Sequence, residues 1–296
     1  MTGFPVPSTG RVAVAVPAPA ARPRAWAGAP SAAIDDDGSF VLAYRVRVAD
    51  DDVAETVIAR SSDGERYTTV ATLDRRRFNA FSLQRPALVR TAAGRWRLYV
   101  SCAAADWPRS KNWWIEVLEA DDPEGLAVAD AGPAFPGDTR TAVKDPVIRR
   151  VDDRWMAWVC CHPLDERDEE DRMTTAFATS ADGLAWDWHG TALAPRPGTW
   201  DARGTRVTAV LPDGLVAYDG RASKAENFAE RTGLARLTGL PGELTQAGDQ
   251  PLADVRYLDA VPLPGGGYRL FYEAPLPDGS HELRTELAGL PGPSGP

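Results

Sequence analysis

One pattern, written five times along the chain, restricts its fold more than any other feature. Each copy is a short apolar strand, a polar turn and a second strand that opens on a large side chain. The copies run Ser31–Tyr44, Pro86–Tyr99, Pro146–Trp158, Val207–Tyr218 and Asp259–Tyr272. The residues that open the second strands, Phe40, Trp96, Trp155, Leu215 and Tyr268, follow one another at intervals of 56, 59, 60 and 53 residues. Self-similarity at a steady period marks a repeat architecture in which each copy is one supersecondary unit. Turns such as Asp37-Gly38, Ala93-Gly94, Asp213-Gly214 and Gly265-Gly266, set between alternating apolar and polar residues, make each copy a β-hairpin.

A third strand follows every hairpin, in Glu55–Arg60, Trp113–Leu118, Met173–Ala178, Arg231–Leu237 and Glu282–Leu287, and Tyr67–Ala71 reads as a fourth. Four antiparallel strands repeated five times, with no convincing helix, predict an all-β chain folded as a five-bladed β-propeller. Residues 1–296 then form a single domain. A ring of this kind needs a lock, and the N-terminal run at 11–16 is expected to join the blade of Tyr268 to Leu287, leaving 288–296 as a loose tail.

Composition narrows the partners. The 44% hydrophobic and 25% charged content excludes a disordered chain, and 26 Gly with 25 Pro suit a fold with many turns. With 33 Lys and Arg against 42 Asp and Glu the net charge is −9, and no basic face is evident, so nucleic acid is not an expected partner. Cys102, Cys160 and Cys161 are too few for a disulfide framework and read as small buried hydrophobes. The apolar run at 12–16 is too short, gives way to prolines, and has no Lys or Arg in the ten residues that open the chain, which argues against a secretory leader. No stretch reaches the roughly 18 apolar residues of a membrane span. The expected compartment is the cytoplasm; nothing sets the oligomeric state. Three histidines support no metal cluster, and no cofactor fingerprint, phosphate loop or nucleophile elbow is present.

Propellers gather residues from every repeat into a central funnel. Aligning the hairpins places Ala29, Arg85, Asp145, Arg206 and, within one residue, Asp259 at its mouth, with Gln84, Lys144, Arg203 and Arg256 beside them. Charges brought together in this way cost free energy unless paired or used, so the ring is read as a small-molecule site.

Two motifs carry a resemblance. Lys144-Asp145-Pro146-Val147-Ile148 looks like the Asp-Pro strand of five-bladed glycosidases of the arabinanase, xylosidase and invertase superfamily, and Ser180-Ala-Asp-Gly-Leu-Ala-Trp186 is similar to their Ser-x-Asp-Gly-x-x-Trp turns. The resemblance implies three funnel carboxylates: a base or nucleophile from the first blade, a general acid, and the Asp of Asp-Pro that orients the acid. The last role falls on Asp145. The first-blade position holds Ala29, and Arg206 stands where the family commonly places a Glu.

Other carboxylates are therefore candidates for the acid and its partner. Second strands end near the funnel rim, where Glu273 follows Tyr272 and Asp219 follows Tyr218; either is the candidate acid, with Asp259 and Asp145 as charged partners. The polar stretch from Tyr218 to Gly233 supplies Arg221, Glu230 and Arg231 as a substrate rim, with arginine forks suited to carboxylate or phosphate. Trp107 is the candidate stacking platform, and His162 a proton carrier or polar contact. Two functions stand: a glycoside-processing enzyme, hydrolase or phosphorylase, acting by carboxylate chemistry on an anionic sugar, or a carbohydrate-binding propeller without catalysis.

Overall fold

A computed structural model describes residues 4–7, 12–48, 53–106, 109–166, 168–238 and 242–289. After β1 (Ala13–Val16), the first four-stranded antiparallel unit comprises β2 (Trp26–Ile34), β3 (Phe40–Arg47), β4 (Ala54–Ser61) and β5 (Thr68–Leu73). The second comprises β6 (Ser82–Arg90), β7 (Trp96–Ala103), β8 (Trp113–Ala120) and β9 (Ala131–Phe135). β10 (Thr141–Val151), β11 (Arg154–Pro163), β12 (Thr174–Ser180) and β13 (Asp187–Leu193) make the third. β14 (Gly204–Val210), β15 (Leu215–Arg221), β16 (Arg231–Leu237) and β17 (Leu244–Ala247) make the fourth. In the last, β18 (Arg256–Pro262), β19 (Tyr268–Pro275) and β20 (His281–Ala288) are completed by β1, which pairs antiparallel to β20.

The first strand of each unit packs beside that of the next, in the cycle β2, β6, β10, β14, β18 and back to β2. The chain is thus all-β, and its five four-stranded units, the first and last joined through a parallel β2–β20 pairing at Trp26 and His281, fit a closed five-bladed propeller. Among the described residues there is no α-helix, only three short 3-10 turns, and no helix is long and apolar enough to cross a membrane. The expected tail lies almost wholly outside the described residues, as does Arg11 of the N-terminal run.

Strand alternation puts one apolar face of each blade against its neighbour, so the core is divided into five interfaces. Leu73, Leu83, Trp96 and Leu98 join blades one and two; Tyr99, Phe135, Ile148 and Trp155 join two and three. Trp158, Phe177, Val207 and Tyr218 join three and four; Leu215, Leu258, Leu270 and Tyr272 join four and five; Phe40, Leu42, Phe271 and Leu283 close the ring. The strand tryptophans are packing residues, worth roughly 3–5 kcal/mol each against truncation to alanine. Cys102 and Cys160 are buried, and burial pushes both thiols up, Cys160 to about 12.

The Ser-x-Asp-Gly turns clasp adjacent blades. Asp182 accepts from the backbone N–H groups of Leu184 and Ala185, and Ser180 Oγ from that of Gly183. The turn then offers its carbonyls across the interface: Arg97 donates to Asp182 O and Tyr99 to Gly183 O, both at 2.6 Å. Ser61, Asp63 and Gly64 repeat the turn, with Arg269 donating to Gly64 O at 3.2 Å.

Candidate functional site

Every innermost strand breaks its ladder with a bulge at the same level, between Gly28 and Ser31, Leu83 and Pro86, Lys144 and Val147, Val207 and Ala209, and Arg256 and Asp259. Prolines at 30, 86 and 146 help cause it, since a residue without N–H cannot donate to the ladder. Ala29, Asp145 and Tyr257 sit in these bulges with φ of 53°, 51° and 52°. Left-handed backbone at non-glycine residues costs free energy and clusters at sites where side chains must be aimed. The fifth-blade residue at this level is accordingly Tyr257; Asp259 falls after the break and faces the opposite end of the axis.

Above the bulges opens a well of about 340 Å³. Eight Lys or Arg residues line it, Arg45, Arg47, Lys111, Lys144, Arg206, Arg221, Lys224 and Arg256, against four acidic ones, Asp168, Glu170, Asp171 and Glu230. Its aromatic wall is Trp26, Trp113, Phe228 and Tyr257. A protein of net charge −9 therefore carries an arginine- and lysine-rich hollow at its hub. The guanidiniums stack as well as pair: Arg47 lies 4.7 Å from the Trp26 ring centre and Arg206 3.8 Å from that of Tyr257.

Asp145, Asp219 and Glu273 lie behind this lining, with fully covered side chains. Arg206 bridges the first two, donating to Asp145 Oδ2 at 3.0 Å and to Asp219 Oδ2 at 2.5 Å. Tyr257 adds its hydroxyl to Asp145 (3.3 Å) and its backbone N–H to Asp219 (3.1 Å). Glu273 accepts from Arg256 at 2.7 Å, Arg45 at 3.3 Å and His281 at 2.6 Å. Glu230, which does line the well, joins Arg221 at 2.6 Å to Arg256 at 2.8 Å. Acidic and basic groups so alternate across blades three, four, five and one.

The pairing sets the protonation states. Burial alone would raise Asp145, but Lys144, Arg206, Arg45 and Arg85 outweigh it and bring the carboxyl down to about 2. Glu230 falls to about 2 by the same contest, burial against Arg256, Arg206 and Arg221, and Glu273 falls further. Asp219 is the exception: burial wins over Arg206 and raises it. His162 donates from Nδ1 to the Glu170 carbonyl at 2.7 Å, and burial, aided by Lys144, lowers it to about 3, so its ring is neutral at pH 7.

Of the residues singled out in the sequence, Gln84, Lys144, His162, Arg206, Arg221, Glu230 and Arg256 meet in the well. Lys144 places its ammonium 4.3 Å from the centre of the Trp113 ring, and burial lowers its pKa. Gln84 is held by Arg45 at 3.1 Å. Arg231 points elsewhere, with its guanidinium 5.6 Å from the Trp200 ring centre and 3.6 Å from Glu226. Arg85 and Asp259 belong to the far mouth of the axis. Trp107 lies outside the described residues. The acidic run at 165–171 is engaged in ion pairs, Asp165 with Arg140 and Glu169 and Asp171 with Arg203. Trp26, Arg45, Arg47 and Tyr257 join the well without having been singled out.

Gly28 tests how firmly Glu273 is held. A Cβ there would overlap the Glu273 carboxylate, which has three cationic or hydrogen-bonding partners and nowhere to retreat. Gly28→Ala is expected to destabilise by about 1–3 kcal/mol, the usual range for overpacking; a urea midpoint equal to the parent's would show that Glu273 moves freely.

No protein-family model and no curated protein matches the chain. Solved structures do. A β-1,2-mannobiose phosphorylase from Listeria innocua superposes with a TM-score of 0.62 at 15% identity, over 88% of this chain and 89% of the other. An α-L-arabinofuranosidase from Lactobacillus brevis gives 0.65 at 14% identity, over 88% and 90%. A sucrose-6-phosphate hydrolase from Lactobacillus gasseri gives 0.66 at 12% identity, over 94% of this chain and 60% of that one. The chain shares the fold of these three carbohydrate-active proteins.

Proposed function

We propose that the well takes an anionic saccharide and that the chain processes its glycosidic bond there. The observation that carries this reading is the imbalance of eight cationic residues against four acidic ones around a hub cavity walled by aromatic rings. Guanidinium forks suit carboxylate or phosphate oxygens, and sugar faces pack on aromatic rings. Solved structures of the same fold include a glycoside phosphorylase and two glycoside hydrolases.

Ala29 leaves the first blade without a base. Inorganic phosphate as the attacking group removes that need, because it arrives already nucleophilic: a phosphate oxygen bonds to the anomeric carbon while the bond to the leaving sugar oxygen breaks. That oxygen then requires one proton; Asp219 is the hub carboxyl that burial raises, and since its oxygens are covered and engaged by Arg206 and the Tyr257 N–H the proton would have to reach the leaving oxygen through a relay. A second reading, a binding propeller without turnover, is favoured by a different observation: Asp145, Asp219 and Glu273 are all covered.

The test is a panel of aryl glycosides and oligosaccharides, neutral or bearing carboxylate or phosphate, each incubated with and without inorganic phosphate. Turnover confined to anionic substrates, and lost in Lys144→Met with the fold intact by circular dichroism, is the expected result. Tight, salt-sensitive binding with no turnover selects the binding propeller. Indifference to sugar charge, in both binding and turnover, sinks both readings.

A further inference from the structure

The end of the axis opposite the well opens into another cavity, of about 320 Å³, walled by inner-strand residues that include Arg85, Arg149 and Asp259. Arg85 is only 2% exposed. Its Nη2 donates to the Thr208 carbonyl at 2.7 Å and its Nε to that of Pro30 at 3.4 Å, but Nη1 has no hydrogen-bond partner. Asp259 does not supply one. Its two oxygens accept the backbone N–H groups of Ala32 at 2.9 Å and Ala260 at 3.0 Å.

Arg149 adds a second cation. Among the described residues its side chain has no hydrogen-bond or ion-pair partner, unlike those of Arg90, which pairs with Asp35 and Asp36, and Arg150, which pairs with Asp153. Burial lowers its guanidinium, against the charge of Asp259 on blade five. The mouth thus holds two guanidiniums without ion-pair partners and one carboxylate whose acceptors are already engaged. A buried donor left without an acceptor is costly, and Arg149, half-buried beside it, has only the through-space charge of Asp259 to balance it; an oxyanion between Arg85 and Arg149 would satisfy the first and pair the second.

We propose that this far mouth is a binding site for a small oxyanion, held between Arg85 Nη1 and the guanidinium of Arg149. The ligand chemistry is a phosphate or carboxylate group, either free or at the end of a small molecule. The site is independent of the saccharide reading of the well, from which Arg85 separates it along the axis.

Isothermal titration with inorganic phosphate at low ionic strength tests the proposal, with acetate, sulfate and glycerol 3-phosphate as further arms. Acetate binding more tightly than phosphate would assign a carboxylate ligand, and glycerol 3-phosphate binding more tightly than phosphate a group carried on a small molecule. Arg149→Gln is expected to weaken binding at this site by about tenfold or more, Arg149→Lys to recover part of it, and Lys144→Gln in the well to leave it unchanged. Protection of Arg149 from phenylglyoxal by phosphate, mapped by mass spectrometry, gives the same answer in the unaltered chain. Undiminished phosphate binding in Arg149→Gln, loss of all phosphate binding in Lys144→Gln, or labelling of Arg149 at the same rate with and without phosphate would overturn it.

Discussion

Arg206→Met is expected to lower the unfolding free energy by about 3–5 kcal/mol, the cost of breaking a buried ion pair by removing one partner. Methionine keeps most of the length of the side chain, so the loss reports charge more than volume. It strands two carboxylates, Asp145 and Asp219, both fully covered and both otherwise served only by Tyr257, the Arg85 backbone N–H and more distant cations. The four strands concerned, β10, β14, β15 and β18, belong to three blades, so the ion triad and Tyr257 together tie the hub. Replacing all three members, as Asp145→Asn, Arg206→Met and Asp219→Asn, is expected to recover part of the loss, because neither carboxylate is then stranded while Lys144, Arg45 and Arg85 still lose Asp145 as a counter-charge. Urea midpoints of the single and triple variants measure both effects. An Arg206→Met protein within about 0.5 kcal/mol of the parent, the range of an ordinary surface change, would mean that the two carboxylates reach water after all.

The blade plan was legible because the period is written in residues that must pack: Trp96, Trp155 and Trp158 lie between blades for the same reason that they recur at fixed positions. The level of the funnel was harder to read. A bulge inserts residues into one strand without changing its hydrophobic pattern, so counting along the fifth hairpin led to Asp259 while the strand turns Tyr257 toward the well. The wall of the well lies on the far side of those bulges, before the repeats as read from sequence begin, which is why Trp26 went unnoticed. Arg45 was within reach. It follows Tyr44 as Glu273 follows Tyr272, and its register partner Gly28 stands just ahead of a bulge as Arg256 does opposite Glu273.

What no hairpin alignment contains is the pairing between blades. Glu273 was a good candidate acid as an isolated carboxyl at a rim. Surrounded by Arg45, Arg256 and His281 it becomes an anchored anion, and that surrounding comes from two blades at opposite ends of the chain. Asp145 kept its expected place at the hub for a local reason, the Asp-Pro bulge, yet its partner Arg206 lies 61 residues on.

Acid should unfold this protein through the same network, with a midpoint set by three depressed carboxyls and the buried neutral His162 against one raised carboxyl. Asp145 and Glu230 titrate at about 2 in the folded chain, Glu273 lower still, whereas their ordinary values are 3.8, 4.5 and 4.5. A depressed carboxyl contributes stability that is whole above its ordinary value and is lost as the pH falls through the folded one. Asp219 has the opposite sign: its raised pKa means that the ionised form is disfavoured when folded, so its contribution improves on acidification. The shifts correspond to roughly 2 kcal/mol for Asp145 and roughly 3 kcal/mol for Glu230, enough for their combined loss to consume a large part of a typical stability of about 5–15 kcal/mol. Urea midpoints are therefore expected to decline from about pH 6.5, where the unfolded chain begins to protonate His162 while burial keeps the folded ring neutral down to about pH 3, and to fall steeply between pH 4.5 and 2. Glu230→Gln should be less stable at pH 7 and show a shallower fall, since the proton that does the damage is already in effect present. A parent protein as stable at pH 3 as at pH 7 would mean that these carboxyls are not held as anions, and the cationic well would then lose the counter-charges that fix its shape before any ligand arrives.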